Sequence, residues 1–358
     1  MNIEPFREKS KEIKETLTYL GFNQDYSFAQ IGYKNGYKLI KTSTLEKLET
    51  KETDYSIEMF STLYSSSLII IRSEDGLKLN VLIRKKRKEN KNENEKENEN
   101  ENEKEEEEEE EKEEEEEEGD DLICSLEFEE PIISIKQNCK YLVVCTENKI
   151  CVYLFEDLTR GCHRTFNVKS SNGAIALSSS ERSYLAYSEK NGDITVRSLD
   201  DDQVIKNFNA HQSAVLRISI SQNGSLLASV SIVGKNVRVF DLDNPKERPI
   251  LFEFVRGKSQ ATAYGLCFSH DGGYLALTSD RGTGHIFCLQ KTSRFSGVFL
   301  SVGSFAKIKL KKKVPAICAF SPQSPDQIFV LSSSGTLSIY KMDLKKGGEC
   351  KNLKSIEI

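Results

Sequence analysis

Within residues 252–289 the chain sets two guanidiniums, two hydroxyls and an imidazole among short apolar stretches: Arg256, Ser279, Arg281, Thr283 and His285. An arginine can fork two hydrogen bonds to a phosphate, while serine, threonine and a histidine ring nitrogen can each donate one more. Gly257 and Gly282 stand beside them, where a missing Cβ lets backbone N–H groups approach a ligand. This mixture suits a phosphorylated headgroup better than a metal ion or a scissile carbonyl. Taken singly, each residue also has an ordinary use as a strand arginine, a turn hydroxyl or a locally paired histidine. The spaced set is what points to anion binding.

The elements that must carry these groups are short strands. Leu266–Phe268, Tyr274–Ala276 and Gly284–Ile286 alternate as half-buried strands do, and Asp271-Gly272-Gly273 and Arg281-Gly282 mark the turns between them. The same unit recurs along the chain as Leu-Ala followed by glycine seven residues after the leucine. Leu185 leads to Gly192, Leu227 to Gly234 and Leu275 to Gly282, with weaker copies from Ala29 to Gly36, Leu142 to Lys149 and Ile328 to Gly335. Each copy reads as a hairpin. Copies 42 and 48 residues apart are close to the roughly 40–45-residue period of WD-type blades. Tryptophan is absent, so no WD dipeptide occurs. The period still favours an all-β, seven-bladed β-propeller over a sandwich, because radial repetition protects sheet edges. A seventh repeat is expected from residues 56–83 together with 122–128. The propeller should span 21–344, after a segment 1–20 that is loose or helical over 9–19, and before a tail 345–358.

Composition narrows the function classes. Residues 88–118, inside the second repeat, are Asn/Glu/Lys alternation running into nearly pure glutamate, a composition that cannot bury a core and predicts a disordered acidic insert. Between residues 89 and 118 the net charge is −16, against −6 for the whole chain, so the remainder carries +10. A basic folded part favours anionic partners. Nucleic acid is not expected, since no aromatic-interleaved basic strip or reader motif is present. The nine cysteines include no C-x-x-C pair, and Cys267, Cys288 and Cys318 sit at apolar strand positions, as buried thiols in a reducing compartment do. The four histidines are scattered, and no phosphate-loop or G-x-S-x-G motif occurs. Neither a metal site, nor a cofactor, nor catalysis is expected. The N-terminus lacks a secretory core, and the longest apolar run, within 67–72, is too short to span a bilayer.

At the phosphate-suited residues the chain resembles the PROPPINs, seven-bladed WD-type propellers that bind membrane phosphoinositides in autophagy. Their signature is Phe-Arg-Arg-Gly, followed by a Ser-x-x-Gly-Thr-x-His-Ile-Phe run. The second element is intact here from Ser279 to Phe287, whereas the first is Phe254-Val255-Arg256-Gly257, one arginine short. The resemblance implies a blade-six pocket in which Arg256, Ser279, Thr283 and His285 contact the headgroup. Arg281 stands at a usually basic position, and Gly257 and Gly282 shape the turns.

It also implies a blade-five pocket at Ser229, Ser231, Gly234, Lys235 and Arg238. There Val255 replaces the arginine that the pocket would use, so a weak or dead site is expected. A loop over 290–304 is implied to insert Phe295, Val298, Phe299 and Leu300 into the membrane. The functional expectation is a monomeric, non-enzymatic effector of phosphatidylinositol 3-phosphate, with the 3,5-bisphosphate as a second ligand. Such a protein would recruit autophagy proteins, including a lipid-transfer partner, from the cytoplasm to autophagosomal-precursor, endosomal or vacuolar/lysosomal membranes. The alternative is a protein–protein scaffold with little or no lipid affinity.

Overall fold

A computed structural model describes residues 16–84, 120–168, 172–179, 181–189, 191–245, 250–289 and 299–358, with only the backbone described over 299–302. Seven antiparallel sheets follow one another along the chain. Blade one is Leu17–Phe22, Phe28–Tyr33, Gly36–Lys41 and Lys47–Glu52; blade two is Phe60–Thr62, Leu68–Arg72, Lys78–Ile83 and Asp121–Glu127. Blade three comprises Ser134–Gln137, Tyr141–Cys145, Lys149–Leu154 and Arg164–Asn167; blade four comprises Ile175–Leu177, Tyr184–Ser188, Asp193–Ser198 and Gln203–Asn209. Blade five is Val215–Ile220, Leu226–Ser231, Asn236–Asp241 and Ile250–Val255; blade six is Ala263–Phe268, Tyr274–Ser279, Thr283–Cys288 and Ala306–Lys309. Blade seven closes the series with Ala316–Phe320, Gln327–Ser332, Thr336–Lys341 and Lys351–Glu357. The first strands of successive blades face one another around the axis. The fold is a seven-bladed β-propeller.

The hairpin repeat maps onto one place in the blade. Leu185, Leu227, Leu275, Ile328, Ala29 and Leu142 all lie on second strands, and the residue seven positions later begins the third or stands within two residues before it. Gly192, Gly234, Gly282 and Gly335 have φ between +64° and +84°, a conformation costly for any residue with a Cβ. Blade two has the same device in Ile69 and Gly76 (φ +75°), disguised in the sequence because an isoleucine pair replaces Leu-Ala.

Among the described residues, no strand is shared between the first and last blades. The ring is closed instead by apolar packing, in a cluster where Leu20, Ile31 and Ile40 of blade one meet Ala319, Phe329, Leu331 and Leu337 of blade seven. Three boundaries differ from expectation. The expected helix over 9–19 gives way at its C-terminal end to the strand Leu17–Phe22, whose Tyr19 and Leu20 enter apolar clusters; residues 1–15 lie outside the described set. The expected tail 345–358 is part of the propeller, since Lys351–Glu357 pairs antiparallel along Thr336–Lys341 and supplies the outer strand of blade seven. The acidic insert also lies outside the described residues. The strands on either side of it, Lys78–Ile83 and Asp121–Glu127, pair directly in blade two.

Candidate functional site

The connection over 256–262, from the outer strand of blade five to the inner strand of blade six, forms the floor of the candidate site. On one side it clasps the blade-five hairpin turn. The Arg256 amide donates to the Lys235 carbonyl at 2.8 Å, and the Ala261 amide donates to that of Val233 at 3.4 Å. Gly234 forms this turn at φ +64°, and a Cβ there would stand 1.8 Å from the Ala261 carbonyl oxygen. On the other side the connection meets the blade-six turn. The Asp280 amide donates to the Thr262 carbonyl, the Thr262 amide donates back to the Asp280 carboxylate, each at 3.2 Å, and the Arg281 Nη2 donates to the Gln260 carbonyl at 2.7 Å.

Arg256 sits between the two turns and is 8% exposed. Its Nε donates to the Gly234 carbonyl at 2.6 Å, and its Nη2 donates to that of Ser259. These acceptors are neutral, so they orient the guanidinium without cancelling its charge. Burial first and then the charge of Arg281 disfavour its cation, with Asp280 opposing. His285, on the third strand of blade six, lies directly across from Lys307 on the outer strand. Its Nδ1 is 2.7 Å from the Ser304 hydroxyl. Burial, then the charges of Arg256 and Lys307, push the imidazole down to about 4, so it is neutral at pH 7. Arg281, Arg256, His285 and Lys307 are therefore brought to one corner of blade six, each within electrostatic reach of the next.

Thr283 heads the same strand as His285, half-buried, and is paired with Lys309. Gly282 precedes it at φ +72°, where a Cβ would press on the Lys313 side chain at 3.0 Å. Two expectations change. Ser279 is closed to solvent, and its hydroxyl lies 3.4 Å from the Arg281 amide, so it supports the turn and does not open onto the surface. Gly257 has neither a positive φ nor any atom within 4 Å of a built Cβ. The turn itself does not require glycine there.

The blade-five residues are engaged with the protein. Ser229 is fully buried, with its hydroxyl 2.8 Å from His211 Nε2, and Ser231 is buried beside the turn. Arg238 pairs with Glu253 at 3.1 Å and donates to the Ala210 carbonyl at 2.6 Å. Only Lys235 is exposed, and Val255 lies across from Asn236. Glu253, which the sequence reading passed over, neutralises the cation that this pocket would need. The signal was available: it is cross-strand to Arg238 in the blade register.

The expected membrane loop also differs in part. Phe299 and Leu300 belong to a strand, Phe299–Val302, that adds parallel to the outer edge of blade five opposite Phe252 and Glu253. The unpaired backbone of that outer strand is a template for such addition. Phe295 and Val298 lie outside the described residues. In the next strand, Ala306–Lys309, Lys307 and Lys309 are exposed while Ala306 and Ile308 are buried. A cavity of about 540 Å³ lies elsewhere, where Cys124 and Leu126 of blade two meet Tyr153, Leu158 and Cys162 of blade three. Its lining holds no lysine, arginine or histidine, so it lacks the donors that a phosphate needs. Among the described residues, no helix is long and apolar enough to cross a membrane.

Comparisons with known proteins converge on this architecture. Autophagy-related protein 18 of Dictyostelium discoideum is 28% identical, with 97% of this chain and 95% of that protein aligned. Human WD repeat domain phosphoinositide-interacting protein 1 is 27% identical over 96% of this chain and 77% of its own length. Among solved structures, KlAtg21 in complex with the coiled coil of AgAtg16 superposes with a TM-score of 0.76 at 23% identity, covering 96% of this chain and 99% of that one. Kluyveromyces lactis Hsv2 gives 0.74 at 18% identity, over 96% and 100%. The PROPPIN family model matches residues 117–304, a span that contains blade five and all but the outer strand of blade six. The chain belongs to the PROPPIN family.

Proposed function

We propose that this chain is a non-enzymatic phosphoinositide effector that holds phosphatidylinositol 3-phosphate at the blade-six corner, with the 3,5-bisphosphate as a second ligand. The observation that carries the reading is the convergence of Arg256, Arg281, His285 and Lys307, with Asp280 the nearby carboxylate that opposes them. A bound phosphate would relieve the mutual repulsion of these groups. Thr283 supplies a hydroxyl, Ser279 and Gly282 hold the turn, and Gly257 leaves open space above the floor. Phe295 and Val298 provide the apolar contact with the bilayer, and the exposed Lys307 and Lys309 favour an anionic surface. Attachment is peripheral and needs both signals together. The relatives' names, and the KlAtg21 complex with a coiled coil of AgAtg16, support recruitment of autophagy proteins. In this reading the protein acts as a monomer from the cytoplasm, engaging a lipid-transfer partner at autophagosomal-precursor, endosomal or vacuolar/lysosomal membranes.

The second reading, a scaffold with little lipid affinity, is favoured by Val255 and by the Arg238–Glu253 pair that occupies the blade-five site. Flotation with liposomes containing phosphatidylinositol 3-phosphate, the 3,5-bisphosphate or neither separates the two. Wild type should float only with a phosphoinositide, and Arg281→Ala and Arg256→Ala should each weaken binding about ten- to a hundredfold. Arg256→Ala must be read beside its melting curve, because its guanidinium also holds two backbone carbonyls. Equal flotation of wild type and Arg281→Ala, or none by wild type, would establish the scaffold.

A further inference from the structure

The seven innermost strands carry a charge imbalance that the rim site does not use. Their sequences contain no aspartate or glutamate, and their only charged residues are Lys136 of blade three and Arg217 of blade five. Innermost strands line the central channel of a propeller. Only the first strand of blade four, Ile175–Leu177, separates these two, and it touches both neighbours. Lys136 is exposed, and it lies close enough to Arg217 to feel its charge. It makes no hydrogen bond or ion pair among the described residues. Arg217 is half-buried, with Nε donating to the Tyr264 carbonyl at 3.2 Å and Nη1 to that of Leu216 at 2.9 Å. Those bonds fix the guanidinium between blades five and six and leave its charge unmatched.

We propose that the central channel binds a small inorganic oxyanion of phosphate size between Lys136 and Arg217. Two like charges facing one protein-walled space repel each other, and a mobile anion held between them would balance both. The surroundings act against both cations: burial lowers the pKa of each, the charge of Arg217 lowers that of Lys136 further, and Tyr264 opposes at Arg217. A tetrahedral dianion meets the arginine through parallel N–H donors and the lysine as a point charge. Its grip would tie blades three and five together across blade four. This site is separate from the blade-six corner, whose cations stand on the blade-five-to-six connection and on the turn and outer strand of blade six.

The test titrates inorganic phosphate into the full-length protein by calorimetry, with sodium chloride at matched ionic strength as the control, and follows the melting temperature in parallel. Wild type should show a saturable rise in melting temperature. Lys136→Met should lose about ten- to a hundredfold in that affinity, because it removes one of two charged partners. Its fold should be intact, since the side chain makes no hydrogen bond or ion pair among the described residues, and its flotation on phosphoinositide liposomes should be unchanged. Lys136→Arg should retain phosphate binding, and Arg281→Ala should leave the channel response in place. A response shared equally with chloride, or identical in wild type and Lys136→Met, would overturn the proposal. So would a response lost in Arg281→Ala and kept in Lys136→Met, which would assign the phosphate to the rim.

Discussion

His285 should make both folding and ligand binding depend on acid, and in opposite directions. In the folded protein its pKa is near 4, against 6.5 for an unperturbed imidazole, because it is buried and faces Arg256 and Lys307. Between those values the unfolded chain binds a proton that the native state refuses, so stability rises with pH. The contribution is fully present above pH 6.5, is lost as pH falls, and is exhausted below about 4. A difference of about 2.5 pKa units at 1.36 kcal/mol each amounts to about 3 kcal/mol over that window. A phosphate seated beside the ring reverses the local sign. It offsets the two cations, raises the pKa in the complex, and so makes binding take up part of a proton.

The measurement compares wild type with His285→Gln, whose amide can still reach Ser304. Urea unfolding from pH 4 to 7 should show wild type losing about 3 kcal/mol more than the variant on acidification. The His285 C2–H resonance, assigned by its absence from the variant, should titrate near pH 4 in the free protein and higher with a short-chain phosphoinositide. Calorimetry at pH 6 should show wild type taking up more protons on binding than the variant, a comparison in which the phosphate's own titration cancels. Parallel stability curves would refute the burial argument. An imidazole that titrates unchanged with ligand bound would remove His285 from the site.

Other consequences follow from the turns and the occupied second pocket. Gly234→Ala should cost at least about 2 kcal/mol by denaturant unfolding, from a positive φ and a carbonyl 1.8 Å from the new Cβ. Gly257→Ala, with nothing within 4 Å, should fall within about 0.5 kcal/mol of wild type; any loss of liposome binding in that variant then reports ligand approach. Val255→Arg alone should raise phosphoinositide affinity less than about tenfold, because Glu253 still holds Arg238. Adding Glu253→Gln should raise it further, and no gain from the pair would mean that the buried Ser229 has closed the pocket for good.

How much of this was legible depended on what each residue's neighbours in sequence could reveal. The hairpin repeat was visible wherever Leu-Ala and the turn glycine coincide, because second strands buried on both faces demand small or branched apolar residues and the tight turn demands a positive φ. Blade two was expected at 56–83 with 122–128, but its hairpin device escaped, although Ile69 and Gly76 keep the same spacing, because the residue types changed while the physics did not. The parallel addition of Phe299–Val302 to blade five was hidden for another reason: it depends on an edge left open nearly fifty residues earlier in the chain. Burial was the least legible property. Ser279 and Ser229 read as donors, yet one supports a turn and the other faces His211 inside a blade.

The corner at blade six is best understood as stored repulsion. Its four basic groups come from positions 256, 281, 285 and 307, on four different elements, and no short motif contains them all. The hairpin turn brings Arg281 toward the connection that carries Arg256, while sheet register places Lys307 across from His285. Backbone carbonyls of Gly234, Ser259 and Gln260 hold the two guanidiniums without cancelling them. The fold therefore spends stability to keep positive charge oriented and poorly matched, which only an arriving anion can recover. The Arg238–Glu253 pair is the contrasting case one blade away. There a carboxylate supplied by the chain itself pairs with the arginine, so the same scaffold holds guanidiniums on neutral carbonyls on one side of the 256–262 connection and an ion pair on the other.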